Sequence, residues 1–358
     1  MKKINSFKLM FTFAGCFLGA GYVSGQELWQ FFGSFGRFGF AGIVLSAAIL
    51  ITFGILLIRT AQLKNVTEMD KVVIASDSKF LRAVFSFLEI FFLFGIYFVM
   101  TAGGGALLNQ LFGIPAYIGN IAFAAIVTAV ALVGMTGMVT AFSVTVPLMV
   151  IMSVIIFIFN ASHGALENIS FDKVTNDNPL IINWFVSAVV FASYNLFASI
   201  GILTPLGREI KKKSTLFTGI VCGGVMLLLI AFCILLSLAS DTECISAELP
   251  MLARATETGK AFGYIFAFLL LCGMFGTSVS SVFAISEYVK SKTKGNKKYS
   301  SGTVFLTSAL SFAASLLGFN NLISIVYPIC GYLGFVGMVL IAVNYHKAKN
   351  TKSQEEKV

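Results

Sequence analysis

Hydrophobic segments of about 20 residues recur along the whole chain and determine which environment it can occupy. Hydrophobic residues make up 57% of the 358 residues and charged residues only 11%, whereas soluble domains contain about 25% charged residues. A backbone that crosses a bilayer must satisfy its own hydrogen bonds, as a helix does. We therefore expect an all-α integral membrane protein.

Ten segments are long and apolar enough to cross the bilayer as helices, which takes ~20 residues each. They span residues 7–32, 38–58, 80–108, 114–135 and 139–160, and then 181–206, 215–239, 261–289, 302–319 and 322–345. The chain contains no polar stretch long enough for a soluble domain. We expect residues 1–358 to form one transmembrane domain with a short tail at 346–358.

The positions of the basic residues predict the orientation. If the N-terminus is cytoplasmic, all but four of the 25 lysine and arginine residues lie on the cytoplasmic side, as the positive-inside rule requires. The exceptions are Arg37, Lys173, Arg254 and Lys260. We therefore expect a multi-pass protein of the cell membrane with both termini in the cytoplasm. The net charge of +9 is then a topology signal, and no nucleic-acid partner is expected.

The first segment contains residues that a simple membrane anchor would avoid. Residues 14–27 include four glycines and end in Glu27. Each glycine lowers helix propensity by roughly 1 kcal/mol relative to alanine, and a carboxylate near the bilayer centre costs at least ~2.5 kcal/mol. We expect a broken helix at this point, with a function that compensates for these costs.

The sixth segment contains a second polar stretch, around Tyr194 and Asn195, with Pro205 ten residues further on. Interrupted helices at matching positions of two halves are typical of inverted-repeat transporters with a midplane site. This pattern predicts a first repeat at about 7–160 and a second at about 181–345. The ends of the broken helices would present unpaired N–H and C=O groups to an anion and a cation.

The opening motif resembles a known family. Residues 19–27 read GAGYVSGQE and residues 29–32 read WQFF, similar to the GAGFASGQE…QFF opening of the YkvI family of bacterial membrane proteins. The resemblance covers essentially the whole chain, including Tyr194-Asn195 and the LTPLG of residues 203–207. That family belongs to the amino acid–polyamine–organocation superfamily. The resemblance implies the leucine-transporter fold, a 5+5 inverted repeat with broken first and sixth helices.

The resemblance also implies a sodium-like site between the first and eighth spans. Sodium-coupled members bind the ion with two carbonyls of the first break and with one carbonyl and two hydroxyls of the eighth span. Neutral oxygens of this kind suit a monovalent cation. The matching positions are Gly15 and Leu18 with Met274, Thr277 and Ser278, or Thr277 with Ser280 and Ser281 in a second register. The alternative is that these hydroxyls only hold helices together.

A substrate site is implied at the same breaks. In the superfamily, an amino acid's carboxylate binds backbone N–H groups of the first break, and its amino group faces carbonyls of the sixth. One further residue, Tyr97 in the third span, resembles a tyrosine that reaches the site in some members, or else it only packs. The implied substrate-binding residues are Ala20, Gly21, Gly25, Glu27, Tyr97, Ala192, Tyr194 and Asn195.

Glu27 and Glu89 are the only acidic residues well inside apolar segments. Burial favours the neutral form of a carboxyl group, so each is a candidate for proton coupling. Glu27 could instead cap the broken helix. Glu89 could form a gate ion pair with Lys8 or Arg208, or it could reach the membrane interface.

These observations favour an ion-coupled symporter of a small solute, such as an amino acid. The alternative is a nutrient-sensing receptor of the same fold without net transport. The sequence has no HExxH, GxSxG or ATP-binding loop, so we do not expect an enzyme. Neither the six scattered cysteines nor His163 and His346 have metal-site spacing, so the only ion expected is sodium or a proton. A predicted amphipathic helix at 249–255 is either a lid or a packed surface loop.

Overall fold

A computed structural model gives the structure, and it describes residues 4–67, 69–74, 78–133, 138–164, 167, 169, 178–241, 243–293 and 296–355. Within these ranges the chain is helical almost throughout and contains no β-strand. The helices are α1 Ser6–Gly15, α2 Ala20–Val23, α3 Gln26–Phe31, α4 Arg37–Lys64, α5 Met69–Val73, α6 Lys79–Phe112, α7 Ala116–Val133, α8 Met138–Ser162, α9 Trp184–Glu209, α10 Lys213–Ala239, α11 Pro250–Thr258, α12 Lys260–Lys292, α13 Lys297–Ser315 and α14 Phe319–Glu355. The all-α prediction is confirmed.

Six of these helices, α4, α6, α9, α10, α12 and α14, are long and apolar enough to cross a membrane. The protein is therefore a multi-pass membrane protein. The described part of the chain contains shorter apolar helices at α7 and α8, and the first predicted span is divided between α1, α2 and α3. The count of ten spans remains a prediction.

The long helices pack as two groups bridged by α8 and α14. In the first group, α4 packs against α9 and α10, and α1 lies on α10. In the second group, α6, α7, α12 and α13 pack against one another. Helix α8 contacts α10 and α12, and α14 contacts both α9 and α6. Helices that are distant in sequence therefore surround the broken first span.

The predicted break in the first span is present and occurs twice. Helix α1 ends at Gly15, α2 begins at Ala20, and a second interruption follows at Gly25. Gly25 adopts a left-handed conformation with φ of 82°, which favours glycine because it lacks a Cβ. A Cβ there would also lie 2.8 Å from Leu238 and 2.9 Å from Met251. The glycines of the motif thus permit both the turn and the close packing.

The prediction of a break in the sixth span, at Tyr194 and Asn195, was wrong, because α9 is one uninterrupted helix. Its polar side chains bond back to their own helix. Ser193 Oγ donates to Val189 O at 2.6 Å, and Asn195 Nδ2 donates to Phe191 O at 3.1 Å. Such bonds satisfy a polar side chain without opening the backbone. Residues 190–200 also contain no glycine or proline, so nothing in them disfavours the helix.

Helix α14 continues past the predicted end of the last span. With 37 residues it is about 55 Å long, whereas the hydrocarbon core is about 30 Å thick. The predicted tail from residue 346 therefore begins within a helix that projects from the bilayer and ends at Glu355.

The amphipathic helix expected before the eighth span is α11, and it is packed against the broken segment. Met251 N donates to Ser24 O at 2.8 Å, immediately before Gly25. Gln110 of α6 donates to Leu249 O and accepts from Leu249 N, both at 3.2 Å. Helix α11 therefore joins the first span to the end of α6 on one face of the protein.

A charged cluster fastens α11 to the end of α10. Arg254, 8% exposed, donates to Asp241 at 3.1 Å and to Glu257 at 2.7 Å. The thiol of Cys244 donates to the same two carboxylates at 3.2 and 3.1 Å. Burial and these carboxylates raise the pKa of the Cys244 thiol, so it stays protonated. Asp241, Cys244 and Glu257 are residue types that can bind a metal ion. Here the guanidinium group of Arg254 already supplies the positive charge that balances the two carboxylates.

The short helix α5 covers the opposite face, against α4, α6, α9 and α14. Val72 and Val73 are fully buried there. Asn344 of α14, also fully buried, donates to Val72 O at 2.6 Å and to Lys71 O at 3.3 Å. One buried amide of α14 therefore holds the backbone of α5.

We predict that Asn344→Ala loosens α5. An unsatisfied buried carbonyl costs about 1–3 kcal/mol, so amide hydrogens in residues 69–74 should exchange roughly 5- to 150-fold faster. Hydrogen–deuterium exchange mass spectrometry of the membrane-reconstituted protein measures this rate. Asn321→Ala is the control, because Asn321 is exposed and its side chain donates to Leu317 O, in the turn just before α14. Equal exchange in both variants would contradict the prediction.

Candidate functional site

Glu27 lies at the centre of the protein, in the first turn of α3, and is only 4% exposed. Its carboxyl accepts a hydrogen bond from the Tyr194 hydroxyl of α9 and lies beside the Asn195 amide. The hydrogen bonds found for this carboxyl group in the described part of the chain come from these side chains of α9. Glu27 therefore bonds to side chains of the sixth span, and the helix-cap alternative is not what this geometry provides.

Aromatic rings form the walls around this carboxyl group. Tyr194 stacks on Tyr327 of α14, with ring centroids 4.8 Å apart and planes at 27°. Phe31 and Phe191 approach the Tyr194 ring at 5.8 and 5.5 Å. The site therefore combines one buried carboxyl group with the faces and edges of several rings.

Gly21 faces the carboxyl group from α2. A Cβ on Gly21 would lie 2.7 Å from Glu27 Oε2 and 3.6 Å from the Tyr327 ring. The first backbone bond of α2 runs from Val23 N to Gly19 O, so the N–H groups of Ala20 and Gly21 have no backbone acceptor among the described residues. The predicted anion-binding N–H groups and Glu27 thus lie side by side.

An amide cluster extends the site along α3. Gln26 Nε2 donates to Asn320 Oδ1 at 2.7 Å, and Gln30 Nε2 donates to Asn320 O at 3.1 Å. Gln26 is 3% exposed, and its Oε1 accepts from no donor in the described part of the chain. This buried acceptor lies one residue from Glu27.

The proposed cation ligands retain oxygen atoms that could coordinate an ion. Bonds across the first break run to Ala14 O and Phe17 O, and the carbonyls of Gly15 and Leu18 accept no backbone hydrogen bond from the residues that the structure describes. Helix α12 packs against α2. Its hydroxyls donate back to their own helix: Thr277 to Gly273 O at 3.0 Å, Ser278 to Met274 O at 2.8 Å and Ser281 to Thr277 O at 2.9 Å. A donating hydroxyl keeps its lone pairs, so both registers remain open.

Tyr97 belongs to a different cluster from the one around Glu27. Its hydroxyl donates to Ser308 Oγ at 3.0 Å, and Thr101 pairs with Ser311 at 2.8 Å. These contacts join α6 to α13. On the helical wheel of α6, Tyr97 lies opposite Gly95, which faces α14. The expectation that Tyr97 reaches the substrate is replaced by a role in helix packing.

Glu89 is half-buried on α6 and forms no ion pair with Lys8 or Arg208. Lys8 is exposed, and Arg208 donates to Asn65 O at 3.0 Å. The gate ion pair suggested by the sequence is therefore not formed, and Glu89 lies apart from the Glu27 group.

Sequence reasoning missed Tyr327, Asn320 and Gln26 as parts of this site. A signal for Tyr327 was present, since it is followed by Pro328 inside an apolar segment. Asn320 lies in the first turn of α14, where a polar residue is unremarkable. Only the packing of α14 against α3 and α9 brings these side chains to the first span.

Two bacterial relatives match almost the full chain. The uncharacterized membrane protein YkvI of Bacillus subtilis (strain 168) is 27% identical over 347 residues, covering 94% of this chain and 96% of the relative. The uncharacterized protein YyaD of the same organism is 26% identical over 337 residues, covering 93% and 95%. No protein-family model matches the chain.

Solved transporter structures share the fold. The inward-facing conformation of Mhp1 has a TM-score of 0.62 at 12% identity, covering 95% of this chain and 76% of that chain. A mutant of the Eremococcus coleocola manganese transporter has a TM-score of 0.60 at 11% identity, covering 95% of this chain and 85% of that chain. A Na⁺-coupled sialic acid symporter has a TM-score of 0.57 at 15% identity, covering 94% of this chain and 78% of that chain. The leucine-transporter fold expected from the sequence is thereby confirmed.

We predict that Gly21→Ala disrupts the site while Gly19→Ala does not. The new methyl group at Gly21 would displace the Glu27 carboxyl group, and such overpacking costs about 1–3 kcal/mol. At Gly19 a Cβ meets nothing within 4 Å, so the same substitution in the same break is the control. Apparent melting temperatures in detergent measure the difference. A drop for both variants, or for neither, would show that Gly21 is not in close contact with Glu27.

Proposed function

We propose that this protein is a secondary active transporter that carries a small solute across the cell membrane by alternating access. The solute class is an amino acid or a related zwitterion. The observation that carries the proposal is the double interruption of the first span around the buried Glu27. This segment supplies free N–H groups, free carbonyls and a carboxyl group in the interior of a membrane protein, which an anchor does not need.

A cation gradient drives the transport. In this proposal the carbonyls of Gly15 and Leu18 and the hydroxyls of Thr277 and Ser278 hold a sodium ion, with Ser280 and Ser281 as the second register. The same fold occurs in a Na⁺-coupled sialic acid symporter, which supports the coupling. Because binding free energies are reciprocal, an ion that favours solute binding is itself held more tightly when solute is present.

The two covered faces provide the alternation. Helix α11 is bonded to Ser24 beside the second interruption, and α5 is held by Asn344 of α14. The two repeats of the fold, about 7–160 and 181–345, would move against each other and release α11 and α5 in turn. With both termini in the cytoplasm, α11 lies on the outer face and α5 on the inner face.

We predict sodium-dependent uptake that fails in Thr277→Ala. Proteoliposomes with an inward sodium gradient should accumulate the amino acid that most stabilises the protein in a thermal-shift screen, and potassium should not replace sodium. Removing one cation ligand should lower initial uptake at least ~10-fold, within the usual 1–3 kcal/mol of coupling between sites. Glu27→Gln should also abolish uptake.

The control is Thr303→Ala, since Thr303 of α13 likewise donates to its own helix, at Tyr299 O, but lies outside the proposed site. Uptake that is equal in sodium and potassium would remove the sodium site from the proposal. Binding without accumulation would instead indicate a nutrient-sensing receptor of the same fold.

A further inference from the structure

Glu27 has no cationic partner among the described residues. The side chains that approach it are the Tyr194 hydroxyl and the Asn195 amide of α9, Tyr22 of α2, and Tyr327 of α14. A buried ionised carboxylate without a cation is very costly. The group must therefore be neutralised, either by a proton or by a positively charged ligand.

The surroundings of Glu27 suit an organic ammonium ion better than a metal ion. The Tyr194 hydroxyl donates to the carboxyl group and the Tyr194 ring stacks on Tyr327, so aromatic rings adjoin the carboxyl group. The described neighbours of Glu27 offer no second carboxylate and no thiolate. Rings and one carboxyl group together are the chemistry that recognises a substituted amine.

The neighbouring N–H groups favour a ligand that also has a negative end. A carboxylate bound at Ala20 and Gly21 would lie next to Glu27, because Gly21 faces Glu27 Oε2. Two adjacent carboxylates repel, so both cannot be ionised cheaply. An ammonium group on the same ligand removes this repulsion by pairing with Glu27.

We propose that Glu27 binds the ammonium group of the solute, and that this ammonium displaces one proton from the Glu27 carboxyl group. This proposal rests on the transport site described above and specifies its ligand. In this step, R–NH₃⁺ and the neutral Glu27–COOH form an ion pair between R–NH₃⁺ and the Glu27 carboxylate. The carboxyl proton is released to solvent as one H⁺, so charge and atoms balance. The ammonium takes over the hydrogen-bonding position now held by the Tyr194 hydroxyl.

In this proposal the Glu27 carboxylate binds the amino group of the solute, in place of the backbone carbonyls of the sixth span that the resemblance implied. Because α9 is unbroken, the carbonyls of Ala192, Tyr194 and Asn195 are within a continuous helix. A side chain from the first span thus provides what a broken sixth span would otherwise supply. Since the proton leaves as the solute binds, the sodium-like site remains the place for the coupling ion.

A charge series of small solutes tests the proposal. Propylammonium, alanine, propionate and propionamide all have three carbon atoms and differ in charge. Each is added at about 10 mM, above the usual ~1 mM limit of substrate affinities, to the full-length protein in detergent, and the apparent melting temperature is measured. Propylammonium and alanine should raise it by about 2 °C or more, and propionate and propionamide should not.

The proton release gives a second readout. Between about pH 6 and about pH 8, tyrosines keep their charge, so only Glu27 among the facing groups can exchange a proton. The dissociation constant of propylammonium should fall as pH rises, by up to tenfold per pH unit. Glu27→Gln should abolish both the stabilisation and this pH dependence. Glu209→Gln, on the same helix as Tyr194 but at its far end, should preserve both.

Several results would overturn the proposal: stabilisation by propionate, an unchanged propylammonium effect in Glu27→Gln, affinity independent of pH, or no response to any of the four solutes. The transport function fails separately. If ammonium solutes bind but never accumulate in proteoliposomes, transport is refuted and the ammonium site stands. If an anionic solute accumulates normally in Glu27→Gln, transport stands and the ammonium site is refuted.

Discussion

The buried carboxyl group of Glu27 is the constraint on which the rest of the site depends. In a bilayer, a group of this kind must find its partners within the protein. Three elements are therefore arranged around it: Gly21 of α2 leaves space, Tyr194 of α9 donates a hydrogen bond, and Tyr327 of α14 stacks on Tyr194. A membrane span that is costly as an isolated helix is stabilised by helices from the far end of the chain.

The interruption of the first span also explains how α11 is attached. Where a helix stops, its backbone groups become available to other segments. Ser24 O, at the second interruption, accepts from α11, so the loop before the eighth span is tied directly to the irregular backbone. On the other face, Asn344 of α14 holds α5. Each cover is attached both by hydrogen bonds and by fully buried apolar side chains, such as Leu252 of α11 and Val72 of α5.

The sequence predicted the all-helical membrane fold and the broken first span because both follow from local composition. Hydrophobic length identifies a span, and glycines lower helix propensity wherever they occur. The contents of the site were harder to predict. Tyr327 and Asn320 become neighbours of the first span only through the packing of α14. Tyr97 faces α13 rather than the site. The rotation of α6 about its axis determines this direction, and a single aromatic residue in the sequence does not predict that rotation.

The wrong prediction of a break in the sixth span shows that polar residues in an apolar segment do not by themselves indicate a broken helix. Polar residues interrupt the hydrophobicity of the first and sixth spans, but the helix stops only in the first, at Gly15 and Gly25, whereas Ser193 and Asn195 of α9 bond their own backbone. The site is consequently asymmetric. The first span contributes backbone N–H groups and Glu27, and α9 contributes side chains such as Tyr194. In the proposed site, an ammonium group can pair with the Glu27 carboxylate, whereas an anion leaves Glu27 protonated and gains no such pair, so the site would discriminate between solutes by their charge.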